Sequence, residues 1–117
     1  MLCLAAFAFV FTVVGISVAS NSGPAEIVLK TSTGKKPAFF PHKAHQDMME
    51  CATCHHTKNA DGNRGAYVAG EEKACLSCHD DKGFKDNAHN LCKGCHKDGY
   101  NGKKGPTKCG DCHKKDL

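Results

Sequence analysis

Large apolar side chains are scarce in this sequence. It has no tryptophan and two tyrosines. Beyond Ala25, Leu, Ile, Val and Phe occur only at Ile27, Val28, Leu29, Phe39, Phe40, Val68, Leu76, Phe84, Leu91 and Leu117. So few cannot bury enough area to offset the ordering entropy of about ninety residues. That excludes a self-sufficient hydrophobic core and calls for staples or a prosthetic core. Charge is missing from one place. Residues 2–19 carry none, and no Lys or Arg precedes them. Small residues follow at Ser17, Ala19 and Ser20, as in a secretory signal cleaved after Ala19 or Ala25. Residues 1–25 are therefore expected to be a signal peptide and residues 26–117 one small domain. The alternative is an uncleaved anchor, since the run is near the minimum for a spanning helix. Cys3 goes with this segment.

The third absence is of any spare cysteine. After Ala25 there are eight, and all fall in four Cys-x-x-Cys-His units: Cys51, Cys54 and His55; Cys75, Cys78 and His79; Cys92, Cys95 and His96; Cys109, Cys112 and His113. Such a unit reads as a c-type haem attachment site. Cysteines at i and i+3 lie on one side of a helical turn and can both reach one porphyrin. The histidine at i+4 can set a ring nitrogen on the iron. Four histidines remain: His42, His45, His56 and His89. Four haems with one built-in ligand each need four sixth ligands, and the chain supplies that number with no surplus. His55 and His56 point roughly 100° apart on a helix and cannot serve one iron. Paired Cys-x-x-Cys units can also build zinc sites, but those do not require a histidine after every second cysteine. A disulfide-stapled domain explains the even cysteine count and nothing of the histidines. Met48 and Met49 are potential axial ligands, although packing against a porphyrin suits them better when four histidines are to hand.

Along the chain, residues 26–30 and 36–40 read as a short hairpin, and Pro41 as the start of a helix over residues 42–56. A glycine-rich loop follows over residues 59–70. A polar link carries Phe84 and His89 between the second and third units, and a Gly/Lys linker over residues 98–105 is closed by Pro106. First cysteines are spaced by 24, 17 and 17 residues, a repeated ligand unit rather than a solenoid.

These motifs resemble the class III multihaem cytochromes c, the tetrahaem cytochrome c3 group and the three-haem cytochrome c7 group. The likeness is carried by Phe40-Pro-His-Lys-Ala-His-Gln46, Cys92-Lys-Gly-Cys-His96 and the run from Lys104 to Lys115. The unit Cys75 to His79 and the extra His56 are the two parts that the three-haem pattern lacks. Unlike many cytochromes c3, every unit here has two residues between its cysteines. The resemblance implies a small α-rich fold with a short N-terminal β-hairpin and few short helices wrapped around four haems. It pairs His42 with the first haem, His56 with the second, His45 with the third and His89 with the fourth. It implies a periplasmic, low-potential electron carrier of anaerobic respiration and not an enzyme. Partners would be redox proteins such as hydrogenase and membrane-bound quinol-linked or outer-membrane cytochromes, with no nucleic acid, and the protein would be a monomer. The alternatives are a small multihaem reductase with one open haem, His89 being the non-ligand, and a subunit of a haem filament.

Charge is uneven. Residues 92–117 hold seven lysines and three aspartates, whereas residues 26–91 are neutral. Lys93, Lys97, Lys103, Lys104 and Lys108 are thus the candidate docking face around the fourth haem, since lysine clusters steer association. The alternative is that they balance haem propionates.

Overall fold

The computed structural model describes residues 23–117. The expected signal peptide lies outside the described residues except for its last three. Strand β1 (Ile27–Leu29) pairs antiparallel with β2 (Ala38–Phe40), with Ile27 opposite Phe40 and Leu29 opposite Ala38. β-Branched and aromatic side chains suit this pleated surface. Gly34 turns the chain between the strands at φ +66° and donates its N–H to the Thr31 carbonyl at 2.9 Å. The expected hairpin is present.

Pro41 ends β2 and precedes helix α1 (His42–Gln46). The expected helix over residues 42–56 is therefore too long: it stops after five residues. The reason is geometric. In a continuous helix His42 and His55 would stand about 20 Å apart along the axis. Here the chain leaves the helix after Gln46 and turns back, and the two ring centroids lie 6.2 Å apart. Cys51–Thr53 and Cys75–Ser77 are single 3-10 turns.

Helix α2 (Asp81–Asp98) is the longest element. What read as a polar link is its first half. Asp80 caps it, its carboxylate accepting the Gly83 N–H at 2.6 Å. Asp81 lies in the first turn, where the helix dipole favours an acid, and Lys82 pairs with Asp86 at 2.7 Å one turn on. These local terms outweigh two interior glycines. Gly99, at φ +93°, ends the helix and donates to the Cys95 carbonyl at 2.7 Å. Helix α3 (Cys109–Cys112) closes the fold. Replacing Asp80 with Ala should cost about 1 kcal/mol, measured as a lower denaturation midpoint with unchanged haem content.

Among the described residues only Phe84, on α2, is buried. Val28, Met48, Val68, Leu76 and Leu91 remain exposed. Polar ties join the elements instead. The Asp81 carboxylate accepts from the Ser32 hydroxyl and from the Ser32 N–H at 2.7 Å, joining the hairpin turn to α2. These bonds, the hydroxyl first, hold the Asp81 carboxyl below its usual range. The Lys43 N–H donates to the Ala25 carbonyl at 2.8 Å, tying α1 to the segment before β1. No helix among the described residues is long and apolar enough to cross a membrane.

Candidate metal centres

Each Cys-x-x-Cys-His unit forms a turn of helix. In the first, second and fourth, the histidine N–H donates to the carbonyl of the first cysteine at 2.8, 2.9 and 2.8 Å. The third lies within α2. All eight described cysteines are free, and none is fully buried. Desolvation raises the Cys92 thiol above its usual range, and nearby Cys54, Cys112, Cys95 and Cys75 add to the effect.

The histidines meet in four pairs. Ring centroids are 6.2 Å apart for His42 and His55, and 6.1 Å apart for His56 and His79, for His45 and His96, and for His89 and His113. A metal–imidazole bond is about 2 Å. A coordinating nitrogen lies about 1.1 Å from its ring centroid, so imidazoles on opposite sides of one metal have centroids about 6.2 Å apart. Each gap fits one iron. Every pair joins one histidine of a Cys-x-x-Cys-His unit to one of the four others.

The far nitrogens are also ordered. Nδ1 of His42, His45, His96 and His113 faces the carbonyls of Pro24, Pro41, Pro106 and Pro37 at 2.9, 2.9, 2.6 and 2.9 Å. Those are all four prolines of the sequence. Nδ1 of His56 and His89 faces the Thr57 and Lys85 carbonyls, both at 2.8 Å. A carbonyl only accepts, so in these six rings Nδ1 is the donor and Nε2 keeps its lone pair for a metal. Proline carbonyls as ring anchors were not foreseen from the sequence. The signal was present: a proline stands directly before His42 and another ten residues after His96.

Helix α2 serves two pairs. His89 and His96 lie seven residues apart, two turns along one face and about 10 Å in rise. His89 meets His113 at α3, whereas His96 meets His45 of α1. The neighbours His55 and His56 also join different pairs. The chain around His96 is tight. A Cβ on Gly105 would lie 2.3 Å from its Cδ2, and the Gly105 N–H donates to the His96 carbonyl at 3.2 Å. Only glycine fits against this ring.

Near the first unit, the Tyr67 hydroxyl donates to Glu72 at 2.5 Å. The bond holds the Glu72 carboxyl below its usual range and the Tyr67 hydroxyl well above its own. Among the described residues no three His, Cys, Asp or Glu side chains form a group that could hold a metal ion by themselves. The geometry thus offers two opposed nitrogens per centre, which suits an equatorial ring of ligands supplied by a porphyrin and not a tetrahedral zinc site.

The sequence model of the class III cytochrome c family matches residues 18–116. The chain belongs to the class III cytochrome c family. A cytochrome c3 of Desulfovibrio desulfuricans is 35% identical over an alignment 83 positions long, which covers 48% of this chain and 80% of that protein. No solved structure gives a significant match. Class III cytochromes bind c-type haem, and this chain is a multihaem cytochrome of the electron-carrier type. The short two-stranded sheet and few helices are consistent with a small cytochrome c3-like fold.

Proposed function

We propose that the mature chain is an exported, periplasmic tetrahaem cytochrome that carries electrons at low potential between redox partners of anaerobic respiration. One observation carries the reading: four histidine pairs, each with a gap that fits one iron. The residues assigned to the first haem are Cys51, Cys54, His55 and His42, and to the second Cys75, Cys78, His79 and His56. The third takes Cys92, Cys95, His96 and His45, and the fourth Cys109, Cys112, His113 and His89. When bound, haem supplies a one-electron couple at each centre. The cysteines would hold it by thioether bonds. Each pair of histidines would give two ring nitrogens to one iron and would leave it no position for substrate. Two imidazoles without a methionine favour low potential.

The reductase alternative needs His89 to stand away from iron. Its ring instead lies 6.1 Å from His113, as close as in the other pairs. Resting ferric protein should therefore show only low-spin spectra. A stoichiometric high-spin signal in electron paramagnetic resonance would favour the reductase.

Lys93 and Lys97 lie one turn apart on α2 and line a shallow depression with His89, Asn90, Gly94 and Thr107. Lys103 sits in the Tyr100–Lys103 turn, with Lys104 next to it, and Lys108 precedes α3. This arrangement supports a docking face for an acidic redox protein beside the fourth haem. Changing Lys93, Lys97 and Lys108 together to Gln should slow reduction by such a partner several-fold at low salt. The haem spectra should not change. A Lys30, Lys35 double variant should do much less. Equal slowing by both variants, or no salt dependence in the wild type, would reassign the lysines to propionate balance.

A further inference from the structure

The four pairs share one separation but not one orientation. The rings of His42 and His55 are inclined at 74°, and those of His56 and His79 at 72°. The rings of His45 and His96 are inclined at only 31°, and those of His89 and His113 at 36°. We infer that the fold sorts its four haems into two electronic classes by the angle between axial imidazole planes, and that Gly105 and Pro106 are positioning residues which fix that angle at the third haem. The inference rests on the ligand assignment proposed above.

The angle acts through the iron d orbitals. An imidazole donates π density mainly perpendicular to its own plane. Two nearly parallel rings raise one of the two iron π orbitals and spare the other. Ferric iron, with one hole in that set, places the hole in the raised orbital and is stabilised. Nearly perpendicular rings raise both orbitals alike, and this stabilisation is lost. The third and fourth haems should then resist reduction more than the first and second. Electrons admitted at the lysine-rich end would favour the first and second haems.

The ring planes are held by specific bonds. In the third and fourth pairs both rings have Nδ1 against a carbonyl: Pro41 and Pro106 for His45 and His96, Lys85 and Pro37 for His89 and His113. His96 has the shortest of these contacts, 2.6 Å. It is also pressed by Gly105, where an added Cβ would lie 2.5 Å from Cγ and 2.7 Å from Nε2. A ring so confined can neither rotate about its bond to iron nor loosen its Nδ1–H bond. That bond makes the imidazole a stronger donor.

Electron paramagnetic resonance of the four-haem protein during a dithionite titration tests the inference. Two highly anisotropic low-spin signals and two ordinary rhombic ones are expected in the oxidised protein. As Fe(III) is reduced one electron per haem, the anisotropic pair should disappear first. Its reduced-to-oxidised ratio should exceed that of the rhombic pair by about tenfold, which is 59 mV for a one-electron couple. His45→Met marks the third haem by changing one rhombic signal. Gly105→Ala should change that same signal and make the haem easier to reduce, while the other three stay as they were. Asn101→Gly, in the same loop at φ +48°, should change none.

Four low-spin signals of one class, or loss of the rhombic pair first, would overturn the inference while leaving the ligand assignment standing. So would a wild-type third-haem signal in a Gly105→Ala protein that carries four haems. If Gly105→Ala does not mature, the wild-type titration still decides between the two orders of reduction. Fewer than four haems, or a high-spin signal, would instead overturn the ligand assignment and the inference with it.

Discussion

Produced without haem attachment, this polypeptide should show the circular dichroism of a largely unstructured chain and no cooperative unfolding transition. Phe84 is the only buried residue among those described, and ten large aliphatic or phenylalanine side chains serve the whole domain. Backbone ordering costs about 1–2 kcal/mol per residue, far beyond what so small an apolar area returns at about 25 cal/mol per Å². The polar ties between elements, such as Ser32 to Asp81, are exposed and contribute little in water. Eight thioether bonds and eight axial bonds would join α1, α2, α3 and the two 3-10 turns. Attachment and folding are therefore one event, as in metal-coupled folding. The comparison is between protein made with and without the haem-attachment machinery. A native-like helix signal and a sharp melting transition in the haem-free chain would show that the polypeptide supplies its own core.

The second large effect is on potential. His56→Met should raise the reduction potential of a single haem, the second, by a few tenths of a volt, a fraction of the roughly 0.8 V that axial ligands span. His56 opposes His79 at 6.1 Å and donates through Nδ1 to its neighbour's carbonyl, Thr57 O. Methionine removes that imidazole donor and places a thioether on the iron, which favours the reduced state. His55, one peptide bond away, belongs to a different pair, so the first haem should move far less. Potentiometric titration followed by visible spectroscopy reads the shift, and a methionine–iron band marks the new ligand. Four potentials unchanged from the wild type would remove His56 from the ligand set.

Much of this site was legible in the sequence because its chemistry is stoichiometric. Eight cysteines and four histidines in a fixed motif, with four further histidines to match, define the centres without any knowledge of the fold. The hairpin was legible too, from Ile27-Val28-Leu29, Gly34 and Phe39-Phe40. Helix extents were not. The run from His42 to His56 has the residues of a helix, yet the pairing of His42 with His55 requires the chain to reverse, and that long-range demand overrides local preference. The segment before Cys92 read as a link because it is polar. Its capping by Asp80 and its Lys82–Asp86 pair make it helical without an apolar stripe. The role of Gly105 was invisible, because a close approach to a ring in another segment leaves no local mark. The orientation of each imidazole depends on carbonyls 1 to 76 residues distant, and no spacing rule reports it.

Intact mass of the mature protein, recorded with its resting ferric spectrum, tests the central claim most directly. The account predicts a mass greater than that of the polypeptide by four haems and a spectrum that is wholly low-spin. A mass with three haems or fewer, or four haems with one high-spin iron, would contradict it.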